Sequence, residues 1–366
     1  MTNKHQSSRV EATLIPGDGI GPEIVAAVQI VLAALGSPFV WDIRQAGMAG
    51  IEKFGDPLPA ETLESIRRTK LALKAPLTTP IGGGFRSANV RLREEFGLYA
   101  NVRPVLTLIP GQRYENIDLV LVRENLEGLY VGFEHSVPID DDPHAVAIAS
   151  AVNTRAGARR ILKFAFEYAL RKGRKKVTVV HKANVLKVST GLFLETGREV
   201  AKEYAGRVEM DDRIVDACAM QLVTDPWRFD VIVSTNLFGD ILSDEMSGLV
   251  GGLGFAPGAN IGEHAAIFEA VHGSAPDIAG KGIANPVSLL LATGLMFEHV
   301  GRSEAADRLR AAIKTTLNQD NIRTPDIGGR ASTREFAEAV TRRLQAPAVS
   351  ATMGSPVDEE VSDERG

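Results

Sequence analysis

Phe229-Asp-Val-Ile-Val-Ser-Thr-Asn-Leu-Phe-Gly-Asp-Ile-Leu-Ser-Asp-Glu245 is the stretch from which the architecture is read. Its first part, Phe229–Ser234, is a short apolar run with little polar interruption, the pattern of a strand buried on both faces. The turn Asn236–Gly239 follows, and then a helix that carries Asp240 and Asp244 in its first turns. A buried strand feeding a helix is the repeating unit of an α/β protein with mixed or parallel sheets. The same alternation recurs along the chain. Val10–Ile15, Leu71–Ala75, Ile117–Arg123 and Lys176–His181 read as strands. Gly21–Leu35 reads as a helix, and so does Asn153–Arg171, where Ile161, Leu162, Ala165, Phe166 and Ala169 recur at helical spacing before a Lys172-Gly173 stop. A chain of 366 residues exceeds what one core usually holds, so two lobes with flanking helices are expected.

Composition removes several classes of function. Hydrophobic content of 44% and charge of 24% are ordinary for a globular chain, and a net charge of −5 offers nothing to nucleic acid. No apolar run approaches the ~20 residues of a membrane span. The single cysteine, Cys218, excludes an internal disulfide framework and suits a reducing compartment; its apolar surroundings mark it as core. Met1–Arg9 is polar and has no secretory apolar segment, so a cytoplasmic location is expected. Residues 347–366, rich in Ala, Ser, Pro and acids, read as a disordered acidic tail.

Asp240 and Asp244 stand at i and i+4, on one helix face and about 6 Å apart. Two like charges there repel unless a cation lies between them, and hard oxygen ligands suit Mg²⁺ or Mn²⁺. An acidic first turn favoured by the helix dipole is the plain alternative. Asp216 lies in the otherwise apolar run Ile214-Val-Asp-Ala-Cys-Ala, where an unpaired carboxylate would be costly, which favours the metal reading. Lys182 and Asn184 follow the strand ending at His181, at the end where α/β enzymes collect site residues. Arg86, Arg91, Arg93, Arg103 and Arg123 fall within one loop–helix–strand sweep; guanidinium groups converging on a cleft would bind a polycarboxylate, although Arg91 reads as simply solvated. The Gly-rich turn Pro16-Gly-Asp-Gly-Ile-Gly-Pro22 lacks the third glycine of a Rossmann fingerprint, despite Asp42 downstream. A plain strand–turn–helix and a nucleotide contact both remain open for it. The loop from His272 to Pro286 is built of small residues with a lone acid, Asp277, which could accept from ribose hydroxyls and repel a 2′-phosphate.

Together these segments resemble the β-decarboxylating dehydrogenases of isocitrate, isopropylmalate, homoisocitrate and tartrate. The likeness runs from about Leu14 to Ala346 and is most specific in Asn236–Glu245 and the His272 loop. It implies a two-lobed, non-Rossmann α/β fold, with a cofactor-binding domain at 1–100 plus 252–346 and a smaller domain at 101–251 that makes a dimer interface. It implies a homodimer, or an assembly of dimers, with shared sites. By the likeness Asp240 and Asp244 ligate the metal from one chain, while Asp216 and Lys182 come from its partner. Tyr130 and Lys182 match the catalytic pair, and Arg93, Arg103 and Arg123 match the substrate-carboxylate clamps. Ser87 and Asn89 look like the isocitrate-binding pair, where isopropylmalate enzymes place apolar residues. Thr78, Asn184, His272, Gly273, Ser274, Ala275, Asp277, Ile278 and Asn285 match the cofactor segments, and Asp277-Ile278 resembles the version that selects NAD over NADP. The implied activity is NAD-dependent oxidative decarboxylation of isocitrate to 2-oxoglutarate and CO₂, with Mg²⁺ or Mn²⁺. Homoisocitrate or 3-isopropylmalate oxidation, or a non-catalytic regulatory subunit, are the alternatives.

Overall fold

The computed structural model describes residues 9–78 and 86–346. The acidic tail and the Gly82–Gly84 run lie outside these. Twelve strands and eleven α-helices alternate along the described chain. The strands are β1 (Val10–Ile15), β2 (Phe39–Ile43), β3 (Leu71–Lys74), β4 (Ala100–Leu106), β5 (Asp118–Glu124), β6 (Gly128–Ile139), β7 (Asp142–Val152), β8 (Lys176–His181), β9 (Glu209–Ile214), β10 (Val231–Ser234), β11 (Pro257–Ile261) and β12 (Ala266–Ala270). The helices that matter below are α1 (Gly21–Leu35), α2 (Met48–Phe54), α3 (Ala60–Thr69), α4 (Ala88–Glu95), α5 (Arg155–Arg171), α6 (Ser189–Glu203), α7 (Val215–Thr224), α8 (Asn236–Leu249) and α9 (Val287–His299).

Ten strands form one mixed sheet in the order β2-β1-β3-β12-β11-β4-β5-β10-β8-β9. The pairs β2·β1, β1·β3 and β3·β12 are parallel, as are β5·β10, β10·β8 and β8·β9. Between these two parallel blocks, β11 and β4 run antiparallel to their neighbours. Apolar strands such as Val231–Val233 and Leu119–Val122 are buried on both faces, with helices packed over them. A second core, centred on Leu121, Cys218, Leu242 and Met246, holds α7 and α8 to the sheet. Cys218 is fully buried, and burial pushes its thiol up to about 12, so it packs and does not react.

The expected α1 and β8 have the expected bounds. Helix α5 starts two residues later than its apolar spacing suggests, because the Thr154 side chain caps it by accepting from the Gly157 amide. Strand β10 starts at Val231 because Pro226–Arg228 forms a 3₁₀ turn. Arg91 is not simply solvated: it is half-buried and pairs with Asp56, tying α4 to the end of α2. Asp42 is engaged by Arg44, Arg68 and Ser65. The remaining two strands, β6 and β7, form a separate antiparallel hairpin, with Phe133 62% and Ile139 53% exposed. A lone two-stranded hairpin is marginal in water.

Candidate active site

Strand β10 ends at Ser234 beside Arg123 at the end of β5, and α8 rises from that point. Gly239, one turn into α8, is required by close approach: a Cβ there would meet the Arg123 side chain at 2.8 Å. Arg123 therefore lies flat along the helix, with Nε and Nη2 donating to Asn236 Oδ1 at 2.9 and 2.7 Å. Its Nη1 pairs with Asp240 Oδ1. Arg103, from β4, reaches Asp244 at 3.2 Å and Asp240 at 3.5 Å and donates to Ser243. The Tyr130 hydroxyl donates to Asp240 Oδ2 at 2.5 Å, and the Arg123 guanidinium lies 5.1 Å from the Tyr130 ring centre.

The electrostatics follow from this crowding. Burial raises the Asp240 carboxyl, but Arg123, the Tyr130 hydroxyl, Arg103 and Arg93 more than offset it, and it stays below the usual range. Asp244 goes the other way: burial and the Asp240 charge lift it above its ordinary value despite Arg103. Burial, with repulsion from Arg93 and Arg103, lowers Arg123 to about 10, so it remains cationic at neutral pH. Burial and the bond to Asp240 raise the Tyr130 phenol, which keeps its proton. One spot thus holds two carboxylates at helical i, i+4 spacing, a set of arginines and a protonated phenol.

Lys182 and Asp216 are not part of that cluster. They pair with each other at 2.5 Å, with side chains 26% and 68% exposed. Asp216 does not sit in the apolar environment that its sequence neighbours suggest. On α7 it is Cys218 and Leu222 that turn inward, which leaves Asp216 on the outer face; its low carboxyl pKa comes from the Lys182 hydrogen bond. Asn184 is exposed beside Lys182. Among the described residues no three His, Cys, Asp or Glu side chains are close enough together to hold a metal ion. A single chain brings Asp240 and Asp244 together but does not supply the third expected ligand.

The segments expected to hold the cofactor meet at the Gly-rich turn. A Cβ on Gly17 would lie 2.3 Å from Pro76 O, and one on Gly19 would lie 2.0 Å from Ser274 O; both glycines have positive φ. The Asp18 and Ile20 amides donate to Pro76 O and Ser274 O. The Asp18 carboxylate accepts from the Thr78 amide at 2.7 Å and the Met48 amide at 2.9 Å, and the Thr78 and Ser274 hydroxyls are 2.7 Å apart. Its glycines let the backbone pack closely against Pro76 and Ser274. Asp18 is the residue that sequence reasoning passed over; its place between two glycines was the available signal.

Ala275 adopts φ +40 and Ile278 donates to its carbonyl, shaping the loop that carries Gly273 and Asp277; Asp277 is exposed. His272 Nε2 is buried without a partner among the described residues, and burial lowers the imidazole, leaving it neutral. Asn285 donates to Asp326 and accepts from the Val287 amide at the start of α9. Ser87 and Asn89 begin α4, and Arg93 lies one turn on, 3.9 Å from Glu269. Asn89 Oδ1 is buried without a partner among the described residues.

One continuous mixed sheet thus carries a carboxylate–arginine cluster at its strand ends. The family described as isocitrate/isopropylmalate dehydrogenase matches residues 11–340, and the chain belongs to it. It is 46% identical to isocitrate dehydrogenase [NAD] catalytic subunit 5, mitochondrial, of Arabidopsis thaliana, over 92% of this chain and 88% of that protein. It is 47% identical to 3-isopropylmalate dehydrogenase of Archaeoglobus fulgidus, over 90% of this chain and 98% of that one. The solved isocitrate dehydrogenase of Methylococcus capsulatus superposes with a TM-score of 0.89 at 54% identity, covering 92% of this chain and all of that one.

Proposed function

We propose that the chain is an NAD-dependent isocitrate dehydrogenase that oxidises and decarboxylates isocitrate to 2-oxoglutarate. The observation that carries the reading is the convergence of Arg103 and Arg123 on Asp240 and Asp244, with Tyr130 donating to the same carboxylate. Isocitrate is favoured over its rivals by the first turn of α4. There Asn89 brings an amide whose NH₂ can donate to a third substrate carboxylate, a bond that an apolar substrate arm cannot accept. The 54% identity to a solved isocitrate dehydrogenase supports the same choice, while 47% to an isopropylmalate enzyme keeps that substrate in the test.

The donor set fits a divalent cation: Asp240 and Asp244 are hard oxygen ligands whose mutual repulsion a cation would relieve. When bound, Mg²⁺ or Mn²⁺ would withdraw charge from the C2 oxygen of the substrate. The Thr78 and His272–Ile278 segments would hold NAD, which when bound would supply the acceptor for the C2 hydride, and the exposed Asp277 carboxylate disfavours a 2′-phosphate. Arg93, Arg103 and Arg123 bind the substrate carboxylates and fix which carbon faces the cofactor. Lys182, directly or through water, assists removal of the C2 hydroxyl proton, and the Tyr130 phenol returns a proton to carbon after CO₂ leaves.

Lys182 and Asp216 reach this chemistry from a second copy of the chain. The hairpin β6–β7 and the exposed Val185, Val188, Met220 and Ile241 give that copy an apolar surface to cover. Tyr130, Lys182 and all three aspartates are present, as a catalytic rather than a regulatory subunit requires. The test is NADH formation, followed by absorbance with Mn²⁺, on isocitrate, homoisocitrate and isopropylmalate, each with NAD and with NADP. Fast turnover of isocitrate with NAD alone is expected; preference for another acid would mean that Ser87 and Asn89 do not decide the substrate.

A further inference from the structure

A chain of buried polar side chains crosses the sheet where its two parallel blocks meet, and no step of the proposed reaction uses its middle members. On β3, Lys74 pairs with Glu269 of β12 at 2.8 Å. Glu269 Oε1 accepts from Asn260 Nδ2 on β11 at 2.7 Å. Asn260 Oδ1 accepts from Asn101 Nδ2 on β4 at 2.7 Å and from Asn125 Nδ2 at 3.0 Å. Asn101 Oδ1 accepts from Arg103 Nε at 2.9 Å, and the guanidinium goes on to Asp240 and Asp244. Exposures along the chain are 3% for Lys74, 6% for Glu269, 3% for Asn260, 0% for Asn101 and 6% for Arg103.

The charged ends dictate the polarity of the neutral middle. Arg103 can only donate, so Asn101 must turn its oxygen toward it and its amide nitrogen onward. Glu269 as an anion can only accept, so Asn260 must turn its nitrogen that way, and its oxygen is left for Asn101 and Asn125. Burial raises the Glu269 carboxyl, but Lys74, Arg93 and Asn260 bring it down to about 2, so it is an anion at neutral pH. Valines at positions 101 and 260 would keep the backbone ladder but leave the buried Glu269 oxygen, Arg103 Nε and the Asn125 amide without these partners. The neutral middle of the line thus serves its charged ends, along two branches. Through Asn101 it reaches Arg103; through Glu269 it reaches Arg93, whose Nη2 is 3.9 Å away, and Lys74.

We propose that Asn260 is a positioning residue, whose amide holds Arg103 through Asn101, and Arg93 and Lys74 through Glu269, at fixed separation for the substrate carboxylates. This rests on the dehydrogenase reading above.

The test compares wild type, Asn260→Asp, Asn101→Ala and the double variant Asn260→Asp with Glu269→Gln, on whichever acid the wild type turns over best. Asn260→Asp sets two carboxylates against each other. The double variant restores the number of charges, and the amide introduced on β12 can donate to the carboxylate introduced on β11. Asn260→Asp is expected to raise KM for the hydroxy acid about tenfold or more, with a smaller change in kcat, and the double variant to recover to within about threefold. Asn101→Ala should raise the same KM, and it carries the test if Asn260→Asp does not fold. Unchanged KM in the folded variants, or a double variant no better than Asn260→Asp, would overturn the assignment. A loss that follows melting temperature alone, with KM constant, would overturn it too. A wild type inactive on all three acids would instead sink the dehydrogenase reading, and this inference with it.

Discussion

Asp240 and Asp216 are both carboxylates near the starts of helices that follow strand ends, yet their surroundings are opposite. Asp240 is ringed by Arg123, Arg103 and Tyr130, all from the same chain. Asp216 is largely exposed and has one neighbour of opposite charge, Lys182, itself at the end of β8. The first environment is formed within one chain, where Arg123 is buried and held by Asn236. The second is open, and exposed apolar residues such as Val185 and Val188 surround it in sequence. One half formed within the chain and one half left open suit the proposed site assembled from two copies.

The largest effect is expected on the finished half. Asp240→Asn should abolish tight Mn²⁺ binding, measured by titration calorimetry, and cut kcat/KM by about 10³-fold or more, since a Lewis acid supplies several kcal/mol. Tight Mn²⁺ binding in that variant would remove the carboxylate pair from the metal site. On the open half, Lys182→Met should cost about 10²- to 10⁴-fold in kcat, the range of a lost proton-transfer group, and still bind Mn²⁺ and substrate. Tyr130→Phe should fall in the same range; near-normal rates in either would delete that residue from the scheme. A smaller change is expected from Asp277→Lys, which should move the NAD-to-NADP ratio of kcat/KM by at least about tenfold toward NADP. A constant ratio would place cofactor discrimination elsewhere.

The smallest effect concerns stability and pH. The Glu269 carboxyl lies at about 2 in the folded chain against an ordinary 4.5. A folded value below the unfolded one means that its contribution is complete above about pH 4.5 and is lost as pH falls toward 2. Urea midpoints should therefore drop across that window, and Glu269→Gln should flatten the drop; equal slopes in both proteins would contradict the Lys74–Glu269 pairing.

The strands and helices were legible because burial on both faces leaves near-continuous apolar runs, as in Val231–Val233, and because α1 and α5 keep helical spacing. The pairing order was not, since β11 and β4 reverse direction between two parallel blocks and nothing local announces it. The Asp240–Asp244 spacing and the arginine run were visible as motifs. Their convergence depends on Gly239 and Asn236 laying Arg123 along α8, a contact over more than a hundred residues. Asp216 was misjudged because an apolar neighbourhood in sequence becomes two different faces once coiled into a helix. Asp18 and Asn260 were missed because their partners come from distant strands and loops.

The proposed shared site is tested most directly by mixing. Lys182→Met chains and Asp240→Asn chains, each inactive alone, are combined in equal amounts, allowed to exchange subunits, and assayed for NADH formation from isocitrate. If each site takes Asp240 from one copy and Lys182 from the other, mixed dimers hold one intact site. Activity should then rise to about a quarter of wild type, because about half of the dimers are mixed and each keeps one site of two. No recovery after verified exchange would contradict a site built from two copies.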